Sequence, residues 1–148
     1  VDKSIIVWGK LKFSDEFVSC QTLKEHTDAV RCMIKLDEEK MCSGSSDNTV
    51  IIWKVINKKY TKIKILKEHS KYVICLEKIS KNIFASGSWD KSIIIWKEEN
   101  GEFKKLVKLS EHTHYVRSIL KFNEGTICSG SSDNTIIIWK FKEENDSC

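Results

Sequence analysis

The stretch from Cys42 to Lys54, CSGSSDNTVIIWK, returns 86 positions later as CSGSSDNTIIIWK, Cys128 to Lys140, and a looser copy, ASGSWDKSIIIWK, lies midway. His26, His69 and His112 stand 43 apart, as do Asp47, Asp90 and Asp133, and Trp53, Trp96 and Trp139, so three units run in one register without an insertion. A period of about 40 to 45 residues restricts the chain to solenoids or propellers built from stacked units.

The spacing within a unit favours strands. No 10-residue helical pattern lies between His26 and Trp53, whereas VIIW, IIIW and the alternation from Tyr60 to Leu66 are rich in β-branched and aromatic residues bounded by turn chemistry. Each unit reads as four strands: in the first, Val30 to Leu36 (a), Lys40 to Ser45 (b), Thr49 to Lys54 (c) and Tyr60 to Leu66 (d). Hairpin connections are expected at Asp37 to Glu39, at Ser46 to Asn48 and, in the next unit, at Asn100-Gly101, where both residues tolerate positive φ.

A His, a Ser-Gly-Ser strand, a turn Asp and a strand ending in Trp resemble the WD-repeat (WD40) β-propeller family over nearly the whole chain. Its two eponymous dipeptides are altered: Gly-His is replaced by Glu25-His26, Glu68-His69 and Glu111-His112, and Trp-Asp by Trp53-Lys54, Trp96-Lys97 and Trp139-Lys140. The resemblance implies an all-β fold of propeller blades and a buried structural tetrad in each unit: His26, Ser43, Asp47, Trp53; His69, Ser86, Asp90, Trp96; and His112, Ser129, Asp133, Trp139. Ser45, Ser88 and Ser131 share the strand face with the assigned serines and leave that member open. Such a set makes physical sense, because an indole N–H or imidazole buried without partners costs roughly 1 to 3 kcal/mol. Ser, His and Asp are also the residue types of a hydrolytic triad. A nucleophile needs one exposed site, however, and threefold repetition at fixed register is the mark of packing, so no enzymatic activity is expected.

Composition adds exclusions. With 148 residues, 41% hydrophobic and 31% charged, the chain supports a β core and no second domain. The net charge of +4 is mild, and Lys58, Lys59, Lys62, Lys64, Lys104, Lys105 and Lys108 fall where strand d faces water, without the arginine clusters and interleaved aromatics of a nucleic-acid surface. Apolar runs are about four residues long, so neither a membrane span nor a signal segment is expected. The six cysteines lack metal-knuckle spacing. Cys32 and Cys75 occupy one slot of the repeat, with Ser118 next in series, and Cys42 and Cys128 another, with Ala85 between them. They read as small core residues of a cytoplasmic or nuclear, reducing compartment, with Cys20 and Cys148 outside the pattern as candidate reactive thiols. No cofactor or metal is implied.

Organisation follows from the register. Residues 1–23 read as a partial blade, with Asp2 to Trp8 as turn and strand c and strand d near Glu16 to Leu23; 24–66 and 67–109 read as whole repeats; 110–148 reads as a repeat without its outer strand. That makes about three and a quarter blades. Strand c is present twice if the ends close on one another, so the expectation is a segment of a larger propeller, or self-association.

By resemblance, a peptide or protein partner lies on the narrow top face, on residues that follow the His and precede the turn Asp. These are Ala29, Arg31 and Ser46; Tyr72, Ile74 and Trp89; and Tyr115, Arg117 and Ser132, with His114 on the same rim. Trp89 replaces a serine at a turn that does not need a bulky aromatic for packing, and aromatics and arginine dominate binding hot spots. The resulting expectation is a non-catalytic protein-interaction scaffold. The short a–b hairpins, KLDEEKMCSG and KFNEGTICSG, also resemble those of F-box-type ubiquitin-ligase adaptors that bind phosphorylated degrons through top-face arginines, which supplies the alternative.

Overall fold

Tight turns cut the chain into strands too short to do anything but pair with their immediate neighbours. The computed structural model describes residues 2–141, which contain thirteen strands and no helix. β1 (Ile5–Lys10) and β2 (Phe17–Leu23) form a two-stranded antiparallel sheet. β3 (Val30–Lys35), β4 (Lys40–Ser45), β5 (Val50–Ile56) and β6 (Lys59–Leu66) form a four-stranded meander, and β7 (Val73–Ser80), β8 (Ile83–Ser88), β9 (Ile93–Glu99) and β10 (Glu102–Leu109) repeat it. β11 (Val116–Asn123), β12 (Thr126–Ser131) and β13 (Ile136–Lys140) make a three-stranded sheet. The innermost strands β3, β7 and β11 pack against one another in sequence, so the sheets are successive propeller blades.

The third strand of the two whole blades opens with four consecutive apolar residues, Val50 to Trp53 and Ile93 to Trp96, because both its faces are covered there. Ile51 and Trp53 of β5 pack toward β1 and β2 with Ile5 and Leu23, whereas Val50 and Ile52 pack toward the next blade with Val73, Ile94 and Trp96. One blade on, Ile93 and Ile95 meet Val116, Ile119 and Ile127 in the same way. Gly44 sits where the inner strand of the next blade comes closest, since a Cβ there would lie 2.7 Å from both Cys32 Sγ and Val73 Cγ1.

The outer strands touch both neighbours because each is bulged. Pairing skips Ile63 opposite Ile52 and Trp53, and skips Leu106 opposite Trp96 and Ile95. The extra residue reverses the alternation of faces. Tyr60 therefore packs toward the preceding blade and Leu66 toward the following one, as do Phe103 and Leu109. Two-residue turns at Asn57-Lys58 (φ 52° and 65°) and Asn100-Gly101 (φ 52° and 81°) carry the double left-handed signature of a type I′ hairpin. Pairing consequently extends to Ile56 and Lys59, past the Lys54 and Tyr60 expected from sequence. The loop at 11–16 between β1 and β2 is longer and exposed.

The outer-strand lysines are less idle than their composition suggests. Lys62 pairs with Glu25 and Lys105 with Glu68, tying each outer strand to the residue before the tetrad histidine, where the family dipeptide carries glycine. Between blades, Lys64 reaches Glu102 at 2.8 Å, and Lys40 reaches both carboxylate oxygens of Glu98 at 2.5 and 2.7 Å.

The two terminal blades each present an open face. Ile136 and Ile138 are 76% and 62% exposed, whereas their counterparts Ile93 and Ile95 are 0% and 1% exposed. Leu120 and Phe122 join that patch, and Ile6 and Trp8 are exposed on β1. Cys148 and the expected missing outer strand of the last repeat fall at 142–148, outside the described residues.

Candidate functional site

Two sets of residues follow from this frame, one repeated in every blade and one not. In the middle blade, His69 Nδ1 lies 2.9 Å from Asp90 Oδ2, His69 Nε2 lies 2.7 Å from Ser86 Oγ, and Trp96 Nε1–H donates to the same Ser86 oxygen at 2.8 Å. The pattern recurs in His26, Asp47, Ser43 and Trp53, with all three distances 2.8 Å. It recurs again in His112, Asp133, Ser129 and Trp139, also at 2.8 Å throughout. The open serine is thereby assigned: Ser43, Ser86 and Ser129 bridge imidazole to indole. Ser45, Ser88 and Ser131 do a different task, each donating to the carbonyl of Asp28, Lys71 or His114 and accepting from the amide of the turn aspartate.

A fifth member escaped the sequence reading. Thr49 donates its amide and hydroxyl to Asp47 Oδ1 at 3.0 and 2.6 Å, Ser92 does so to Asp90 at 3.0 and 2.5 Å, and Thr135 to Asp133 at 2.9 and 2.6 Å. Ser4 treats Asp2 alike, which marks a fourth copy of the turn. The signal was present as Asp-x-Ser/Thr at all four turns.

With the histidine ring and the amide of the residue after it donating to the other oxygen, Asp47, Asp90 and Asp133 each accept four hydrogen bonds, whereas Asp2 accepts two. Burial works to raise the Asp90 carboxyl, but the donors His69, Ser92 and Ser70 outweigh it and hold it well below the ordinary carboxylate range. The same opposition, with Thr49, His26 and Thr27 as donors, lowers Asp47. Asp133 is lowered chiefly by the Thr135 hydroxyl, with His112 and Thr113 adding to it.

Serine, imidazole and carboxylate are therefore lined up as in a hydrolytic relay, three times over. The hydroxyls are sealed: Ser43 and Ser86 are 0% exposed, and each already accepts an indole N–H, so an acyl group has nowhere to sit. Burial also pushes the Cys32 and Cys75 thiols up to about 12. Cys20 is exposed on β2. Among the described residues, no three His, Cys, Asp or Glu side chains gather as a metal site.

The second set lies at the end of the blades where the b–c turns meet the starts of the inner strands. A backbone bond holds each turn there: Ser46 N–H donates to Ala29 O, Trp89 to Tyr72 O and Ser132 to Tyr115 O, at 2.9, 3.0 and 3.0 Å. In the outer two units an arginine completes the junction, Arg31 Nε donating to Ser46 Oγ and Arg117 Nε to Ser132 Oγ, both at 2.7 Å. The middle unit replaces that pair by Ile74 and Trp89, so the arginine and its serine acceptor are exchanged together for two apolar residues.

Trp89 then stacks between blades. Its ring lies 4.6 Å from Tyr115 at 8° and 4.9 Å from Tyr72 at 32°, and His114 packs on Tyr115 at 4.1 Å. Arg117 Cζ sits 5.6 Å from the Trp89 ring and 5.7 Å from Tyr115, and Arg31 Cζ lies 5.9 Å from Tyr72. Trp89 is half-buried and its indole N–H is enclosed without a partner, so the aromatic does pack, although the sequence suggested a turn that needs no bulky aromatic for packing. Among the described residues neither arginine has a carboxylate partner, and each spends its Nε on serine. The result is a stack of three aromatic rings at the rim, with Arg31 beside Tyr72 at one end and Arg117 beside Trp89 and Tyr115 at the other.

The profile described as WD domain, G-beta repeat matches residues 17–54, 60–97 and 103–140, each segment running from an outer strand to the Trp-Lys that closes the next tetrad. A comparison with curated proteins found no match.

Proposed function

Because this chain belongs to the WD-repeat family, whose repeats generally serve as protein-interaction scaffolds, we propose that it binds a peptide segment of a protein partner across the stack of Tyr72, Trp89 and Tyr115. The observation that carries this reading is the stack itself: three aromatics from two blades, flanked by Arg31 and Arg117, whose Nη groups have no carboxylate partner among the described residues. The partly exposed edges of the stacked rings give an apolar anchor its contact area, and guanidinium forks give an acidic neighbour bidentate bonds. The His, Ser and Asp that repeat in all units are committed to holding the turns and the indoles. The rim residues Ile74 and Trp89 break the repeat, and selection for a ligand leaves that kind of irregularity.

The test is an immobilised peptide library in which one Trp, Phe or Leu is flanked by Asp or Glu. Selected sequences should pair an apolar anchor with an acidic residue, and Trp89→Ser, which restores the residue of the neighbouring units, should weaken the best of them by about thirtyfold, the loss of one hot spot. Failure to select any peptide, or binding untouched by Trp89→Ser, refutes the proposal. The second reading, a phosphopeptide-binding substrate adaptor of an F-box-type ubiquitin ligase, draws on the same two guanidiniums. Phosphoserine in place of the selected acid should then bind more tightly, in a salt-sensitive way lost in Arg31→Ala or Arg117→Ala. Equal affinity favours the first reading.

A further inference from the structure

We infer, resting on the peptide reading of the rim given above, that the bound segment is an extended strand carrying an acid, an apolar residue and a second acid at alternate positions. The observation is a bulge repeated in three blades. At the start of β3, β7 and β11 the pairing with the next strand skips one residue, between Val30 and Cys32, between Val73 and Cys75, and between Val116 and Ser118. The skipped residues are Arg31, Ile74 and Arg117, 43 apart in the chain. A bulge leaves its extra residue out of the ladder and re-aims the side chain, so these three stand at the rim while Val73 and Val116 beside them are 0% exposed. Across three successive blades the rim therefore presents a cation, an apolar residue and a cation.

The turn serines orient the two ends of this row. Arg31 gives its Nε to Ser46 and Arg117 its Nε to Ser132, both at 2.7 Å, which leaves the two Nη groups of each guanidinium to meet a carboxylate as a fork. Both arginines also lean toward the middle unit, Arg31 Cζ lying 5.9 Å from the Tyr72 ring and Arg117 Cζ 5.6 Å from the Trp89 ring. The row therefore does not depend on what adjoins the outer blades.

Length selects the ligand's conformation. The steps from Arg31 to Tyr72, Tyr72 to Trp89 and Trp89 to Arg117, at 5.9, 4.9 and 5.6 Å, cap the separation of the two guanidinium carbons at about 16 Å. A strand rises about 3.3 Å per residue and turns alternate side chains to one face, so residues i, i+2 and i+4 share a face over about 13 Å. That is the shortest extended segment with three side chains in a row, and it fits under the cap. The next such register, i to i+6, spans about 20 Å and overshoots it. A helix rises only about 6 Å from i to i+4, which would leave both acids over the same end of the row. The central apolar residue of the strand then meets Ile74 and the edge of Trp89. Because the row reads alike from either end, it sets the register of the peptide without setting its direction.

The probes are fluorescein-labelled peptides Glu-Thr-X-Thr-Glu, with Trp, Phe or Leu as X, titrated with the 148-residue chain and read by fluorescence anisotropy. Replacing either Glu by Gln should weaken the best of them about tenfold, and moving one Glu by a single position, which turns it to the opposite face, should do the same. Arg31→Gln should abolish the response to one of the two acids and Arg117→Gln the response to the other, whichever way the peptide runs. The peptide changes leave the protein untouched, so they decide the matter even where an arginine variant fails to fold. Acids that can be neutralised or moved singly without loss overturn the inference, as does tighter binding of a helical peptide with its acids seven apart. In either case, binding that Trp89→Ser still weakens leaves the peptide reading of the rim standing. No binding by any of the three peptides also overturns the inference, and the reading of the rim falls with it only when the wider library selects nothing.

Discussion

Replacing Asp90 by alanine removes an acceptor that four donors share, and the structure sizes the loss. His69 Nδ1–H is left buried with only the Ser92 hydroxyl, 3.5 Å away, in place of the carboxylate, which costs about 1 to 3 kcal/mol. The buried Ser92 loses both its amide and hydroxyl bonds to the carboxylate, at about 1 kcal/mol each. The Ser70 amide is exposed and recovers its bond from water. The total is about 3 to 5 kcal/mol, or a fall in Tm of roughly 10 °C for a chain of this size. Lys91, next in sequence, is exposed and should change stability by no more than about 0.5 kcal/mol when replaced by alanine. Thermal unfolding followed by circular dichroism, run on both variants, makes the comparison. Because the folded-state pKa of Asp90 is depressed, its contribution is fully present above the unfolded value of about 3.9 and fades as pH falls below it toward the folded value. The wild type should accordingly lose stability on acidification below about pH 4 more steeply than Asp90→Ala. Equal melting shifts for Asp90→Ala and Lys91→Ala, or identical acid slopes, would refute the reasoning.

Ser86→Ala should destabilise by about 2 to 4 kcal/mol, because it orphans both the Trp96 indole and the His69 ring, and Ser88→Ala by no more than about half of that; urea midpoints separate them. Gly44→Ala should cost about 1 to 3 kcal/mol, read from the same titration, since the new methyl group would press on Cys32 and Val73 where two blades meet. Lys58→Gly should raise stability by about 0.5 kcal/mol, since a left-handed residue becomes the glycine that Gly101 already is one repeat later, and differential scanning calorimetry resolves that shift. Glu68→Gln should leave the thermal midpoint nearly unchanged, because Glu68 and Lys105 are both exposed, and added salt should shrink any difference further.

What repeats was legible in the sequence, and what bridges units was not. The 43-residue spacing of His, Asp and Trp located the strands to within a residue or two, since turn chemistry and β-branched runs are local properties. The same spacing grouped His69, Ser86, Asp90 and Trp96, whose polar atoms the structure places 2.7 to 2.9 Å apart. It could not choose between Ser86 and Ser88, because both point to one face and only the depth of the histidine decides. Ser92 went unread although Asp-x-Ser/Thr recurs at every turn, since a hydroxyl there has an ordinary explanation as a turn residue. The packing of Trp89 depends on Tyr115 from the next blade, and the Glu68 to Lys105 pair spans 37 residues, so neither is visible in a local pattern.

The central claim is that the repeated polar residues are interior fastenings and that recognition falls to the rim. It is tested most directly by ¹⁵N-resolved NMR of the imidazole protons at neutral pH. His26, His69 and His112 should give Nδ1–H resonances that exchange slowly with solvent, and Asp90→Ala should remove the His69 signal first, while the exposed His114 gives none. Three histidines exchanging as fast as His114 would contradict the account.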